Sequence, residues 1–209
     1  MDNYTLHDIY KMERSFRTNL INSISGIKSA NLIGTSNSEG LTNLAVFNSV
    51  MHIGANPPLL SIFVRPHKVE RHTYENIKST GYFTINAVNK SLLERAHLTS
   101  GKFAKEVSEF LMCDIKPSFS DVHPAPYVEE SPIQIGLRME EEYHINANQT
   151  ILVIGRIIEI IFPKGGFGKD GQLAWKDLNL LGINGLSNYC EPSTFKSMPY
   201  VRKESIQSS

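Results

Sequence analysis

Apolar residues Met12, Phe16, Leu20 and Ile24 recur at four-residue spacing and stop at Gly26, which predicts an amphipathic helix covering part of the fold. The period then shortens. Asn31 to Thr35 runs into the polar turn cluster at 37–40, and the chain is expected to reverse into a strand over Asn43 to Val50. Pro57 and Pro58 precede a third strand, Leu59 to Val64, where a residue without a ladder donor is tolerated. Within Arg71 to Thr80, Thr73 is placed to cap a short helix that Gly81 would end, and Tyr82 to Val88 returns to strand.

Ser91 to Leu98 and Lys105 to Leu111 have helical patterning, and the proline-rich stretch 116–132 reads as an irregular surface strap. The plainest alternation comes next. Ile133, Ile135, Leu137, Met139, Tyr143 and Ile145 interleave with polar residues as a strand with one wet face requires. Ile151 to Phe162 is apolar at almost every position, so both of its faces should be covered, by the barrel core inside and by another layer or a second subunit outside, a hint of a dimer. Short strands without regular intervening helices predict a mainly β fold with peripheral helices, a closed antiparallel barrel rather than a doubly wound sheet.

Composition agrees with an ordinary globular chain: 41% hydrophobic and 20% charged in 209 residues, read as a single domain with its core at about 20–190 and a tail at 191–209. Lys and Arg (21) balance Asp and Glu (21), so no net field would draw the chain to nucleic acid or to an anionic membrane. No apolar run has the length of a signal or spanning segment, and the expected location is the cytoplasm. Cys113 and Cys190 lack CxxC spacing and read as packing residues.

Most chemical motifs fail on context. Gly166, Gly168 and Gly171 spell GxGxxG, with Glu191 about twenty positions on, but Pro192 and the segment 177–186 break the βαβ unit that such a loop must open. Gly101-Lys102 lacks the rest of a phosphate loop, the seven histidines show no metal spacing, and no GxSxG offers a nucleophile. Glu140, Glu141 and Glu142 read as charges on a wet strand face.

Four segments taken together resemble the flavin reductase-like family of FMN-binding split barrels: Gly34 to Val50 (GTSNSEGLTNLAVFNSV), Asn56 to Pro66 (NPPLLSIFVRP), Arg71 to Asn86 (RHTYENIKSTGYFTIN) and Asn148 to Ile157 (NQTILVIGRI). Ala96 to Ser100, Ser108 to Phe110, Tyr127 to Ser131 and Gly185 to Tyr189 are similar to its flavoredoxin-like branch. The resemblance implies a six-stranded antiparallel Greek-key barrel that pairs as a homodimer and binds FMN, with FAD the lesser alternative. It further implies a flavin wall at Asn43, Leu44, Ala45, Val46 and Phe47, and ring-bordering positions at Thr35 and Ser36. The phosphate end would fall at Ser49, Arg65, Arg71 and Thr73, and His97 and Lys102 would lie in a covering loop. A flat amphipathic ring needs an apolar wall with backbone partners, and a phosphate needs cations and a helix N-terminus.

The function so implied is an oxidoreductase in which FMN takes hydride from NADH or NADPH and passes electrons to a second flavin or another acceptor. No catalytic side chain is required, because the flavin carries the chemistry. The alternative is a flavoredoxin-like FMN electron-transfer protein that exchanges electrons with a partner protein and does not use a nicotinamide. A loop over 96–104 folded tightly across the flavin face would favour that alternative.

Overall fold

The computed structural model describes residues 1, 3–66 and 69–201; His67 and the tail beyond 201 lie outside the described residues. Seven strands form one antiparallel sheet in the order Thr42–Phe47, Asn31–Ser36, Tyr82–Ala87, Gln134–Ile145, Thr150–Ile161, Pro58–Val64 and Met51–Ala55. The two edge strands are neighbours in sequence, joined only by 48–50. Ser49 makes that corner: its hydroxyl donates to Phe63 O (3.1 Å) and accepts from Phe63 N–H (3.2 Å). Tyr82–Ala87 comes back by a long connection to lie beside Asn31–Ser36, the return step of a Greek key. The mainly β barrel is therefore as expected, with a seventh strand, Met51–Ala55, because the chain turns at the Ser49 corner and runs on as a strand past the segment 43–50.

Alternation along Asn31–Ser36 buries both of its faces. Ile33 points to an inner cluster with Ile62, Phe83, Ile85, Leu137 and Val153, and Leu32 joins Leu44, Leu92, Phe110 and Leu181 in an outer cluster. The helix His72–Thr80 adds Tyr74 and Ile77 to the inner cluster. Leu93–Leu98 and Glu109–Met112 cover the outer one. The strap runs across the sheet at Gly136, where an added methyl would collide with Tyr127 Oη and the His123 ring. Its short strands Pro117–Ser118 and Tyr127–Val128 pair with each other, and Tyr127 Oη donates to Glu159 Oε2 at 2.8 Å.

Several expectations change. The first helix is two, Leu6–Lys11 and Arg14–Ser23, because the Glu13 carboxylate accepts from the backbone N–H groups of Ser15 and Phe16 and starts a new helix there. It covers little: neither helix has a buried residue, Met12 and Leu20 are half-buried, and Phe16 and Ile24 are exposed. In the long strand Gln134–Ile145 a bulge skips Glu140 between the pairs Gly155–Met139 and Ile154–Glu141, which reverses the facing of the residues beyond it. Tyr143 is consequently exposed, and Glu142 is held between Lys78 (3.0 Å) and Tyr74 (3.1 Å). The far end of Thr150–Ile161 also stays exposed at Ile158, Ile160 and Ile161. Of the helix expected over Lys105 to Leu111 only Glu109–Met112 forms.

Candidate functional site

The helix His72–Thr80 begins one residue before Thr73, with Arg71 in the cap position. Thr73 is therefore its second residue and caps nothing; its hydroxyl is turned inward and accepts from Asn43 Nδ2 at 3.1 Å. No side chain of the cap residue closes this helix; Glu75 in its first turn accepts from the Arg71 N–H at 3.4 Å, and the N–H groups that follow are open to another group. Beside it the Arg71 Nε is buried and has no hydrogen-bond partner. A guanidinium N–H withdrawn from water and left unpaired is costly, and an anion at the helix N-terminus would satisfy both features at once.

Thr35, Asn43 and Thr73 are brought together. Thr35 is fully buried, and its hydroxyl accepts from Asn43 Nδ2 (3.4 Å) and Asn76 Nδ2 (3.1 Å), so the end of Asn31–Ser36 is locked to the helix. Along the edge strand Leu44 sends its side chain to the outer cluster and its N–H to Glu109 Oε2 at 3.0 Å. Glu109 is 6% exposed, and burial pushes its carboxyl above the usual range, against the backbone N–H groups it accepts from and the nearby His72. Its neighbour Ser108 shares a 2.7 Å hydrogen bond with Thr42, and Lys105 pairs with Glu75 at 3.7 Å. The segment 105–109 is thereby tied to both the edge strand and the helix.

The remaining positions divide. Ser36 pairs with Thr42 and is half-buried; Ala45, opposite Ile33, is also half-buried. Val46 packs on the outer cluster, as do Phe103 and Tyr189, and Phe47 packs on the inner one. Ser49 gives its proton to the Phe63 carbonyl. Arg65 is exposed just beyond Pro58–Val64. His97 and Lys102 are exposed, and His97 Nδ1 lies 3.1 Å from Tyr189 Oη. The glycines at 166, 168 and 171 lie in a turn-rich loop that opens no helix, and Glu191 pairs with Lys90 at 2.9 Å.

Glu109, Asn76 and Tyr189 are the members of this region that sequence reasoning does not assign. An acidic residue followed by Phe110 and Leu111 at the start of a short helix was the available signal for Glu109, but its partner Leu44 is 65 positions away.

Residues 24–181 match the model of the flavin reductase like domain, and the chain belongs to that family. A candidate flavin reductase with a split-barrel domain from Shewanella frigidimarina is 38% identical and superposes with a TM-score of 0.92, covering 96% of this chain and all (100%) of that one. Flavoredoxin of Desulfovibrio vulgaris is 19% identical with a TM-score of 0.72, covering 83% of this chain and 91% of its own, and shares the fold. An uncharacterized protein of Aquifex aeolicus is 24% identical over 128 residues, 58% of this chain. That match spans 65% of the Aquifex protein, a little under two thirds of its length.

Proposed function

We propose that this flavin reductase-like protein binds FMN and works as an NADH- or NADPH-dependent oxidoreductase that passes electrons to a second flavin or another acceptor. The observation that carries the reading is the buried, unpaired Arg71 Nε beside the uncapped N-terminus of His72–Thr80. It suits the phosphate of FMN: a cation supplies the charge and the helix N-terminus the dipole.

The other residues would position the flavin. The edge strand Thr42–Phe47 turns the Leu44 peptide outward, and by the two-residue period the Val46 peptide points the same way. Glu109 takes the Leu44 N–H, so Val46 is the next outward peptide for the ring edge. Thr35, Asn43 and Asn76 fix the strand end to the helix and hold phosphate seat and ring wall at one spacing. Bound FMN supplies hydride acceptance and electron transfer, and no side chain is assigned as acid or base.

A second reading, the FMN electron carrier, draws on one observation: segment 105–109 is tied down at Glu75, Thr42 and Leu44. A nicotinamide has to stack on an open flavin face, and a segment fixed across that face, this one or the loop over 96–104, would oppose it. Anaerobic addition of NADPH and then NADH to FMN-loaded protein separates the two. Prompt bleaching of the flavin band is the expected result; bleaching only by dithionite would leave the carrier.

The exposed apolar residues Phe16, Ile24, Ile160 and Phe162 suit a homodimer, and the cytoplasm is the proposed location. Among the described residues no helix is long and apolar enough to cross a membrane.

A further inference from the structure

We infer that the cavity beneath Trp175 is a binding site for a small neutral molecule of about one aromatic ring. It lies where the inner and outer clusters meet, with Ile85 and Ile135 from the inner side and Val88 and Leu181 from the outer. Val50, just past the Ser49 corner, and Trp175 complete its wall. Its volume is about 180 Å³.

Small barrels normally fill their ends with side chains, and a void forfeits the dispersion contacts of every atom that lines it. Here the loop above the void is held in place by its own hydrogen bonds. Ala174 N–H donates to Gly166 O (2.9 Å), Leu180 N–H to Trp175 O (3.2 Å) and Trp175 Nε1–H to Leu180 O (3.0 Å). These bonds hold the indole in the cavity wall.

The lining determines the chemistry. None of its residues is ionisable, and its polar members satisfy each other: Asn31 Nδ2 donates to Ser29 O (3.2 Å) and Ser29 Oγ (2.9 Å). A charged ligand would lose its hydration and gain no partner. An apolar cavity of about 150 Å³ is known to stay dry and accept benzene, so the volume fits a single ring with a small substituent. This site does not rest on the flavin reading.

Trp175, the protein's one tryptophan, reports on its own cavity. The test titrates the full-length protein with fluorobenzene and with benzoate, reading fluorine NMR linewidth for the former and tryptophan emission for both. A saturable response to fluorobenzene is expected, with benzoate about tenfold weaker or worse. Ala87→Leu fills the cavity and should weaken fluorobenzene by at least about tenfold; Val50→Phe replaces it should that variant not fold. No saturation, an equal response to benzoate, or undiminished binding by a folded filled variant would overturn the site. So would tryptophan emission that follows protein concentration and ignores fluorobenzene, which would mean that a second copy plugs the cavity.

Discussion

The Glu109 carboxylate oxygen Oε2 sits 3.0 Å from the Leu44 nitrogen, so a buried carboxyl and not a neighbouring strand takes up the edge of the sheet at this point. Glu109→Ala leaves the fully buried Leu44 with an unpaired N–H and should cost about 1–3 kcal/mol in chemical denaturation, while Glu109→Gln keeps an acceptor and should cost far less.

The same pair sets a pH dependence. Burial raises the Glu109 carboxyl above its reference of 4.5 in the folded chain, so the folded state holds this proton longer than the unfolded one. Its stabilising protonation is complete below 4.5 and is lost as pH rises through the raised folded value. Relative to Glu109→Gln, the wild type should lose stability across that window and run parallel to it above; denaturation midpoints in a pH series measure this.

Arg71→Gln should move stability and flavin affinity in opposite directions. Removing a buried unpaired guanidinium N–H leaves the flavin-free protein as stable or more so, while FMN binding weakens by about tenfold to a hundredfold, the range of a charge-assisted hydrogen bond. Thermal melts of flavin-free protein and FMN fluorescence titrations give the two signs.

Ser49→Ala should act on the barrel corner. The hydroxyl already donates to Phe63 O and accepts from Phe63 N–H, so its loss should cost about 1–2 kcal/mol and leave FMN affinity within about threefold. Denaturant midpoints and an FMN titration on the same preparation give the comparison.

Gly136→Ala should release the strap. The new methyl would press on Tyr127 Oη and the His123 ring, an overpacking cost of about 1–3 kcal/mol. Limited proteolysis should then cut within 116–132, where the wild type resists.

The barrel was legible because its strands announce themselves locally: the alternation after Ile133 and the apolar run from Ile151 each need only their own residues. The features that were not legible depend on partners far along the chain. Ser49 reads as a strand residue until Phe63, 14 positions on, takes both ends of its hydroxyl. Thr73 reads as a cap until Asn43, 30 positions before it, draws the hydroxyl inward. The bulge at Glu140 leaves no compositional mark, yet it turns Tyr143 outward. The family segments assign Thr35 to the ring border, Asn43 to the wall and Thr73 to the phosphate end, and the hydrogen bonds that join the three were not legible; the charge of Arg71 was legible and its missing partner was not.

The most direct measurement compares FMN with riboflavin, which is FMN without its phosphate, by fluorescence titration of flavin-free protein. If Arg71 and the N-terminus of His72–Thr80 form a phosphate seat, FMN binds at least about a hundredfold tighter than riboflavin, and Arg71→Gln removes most of that gap. Equal affinity for the two, or binding of neither, would contradict the account.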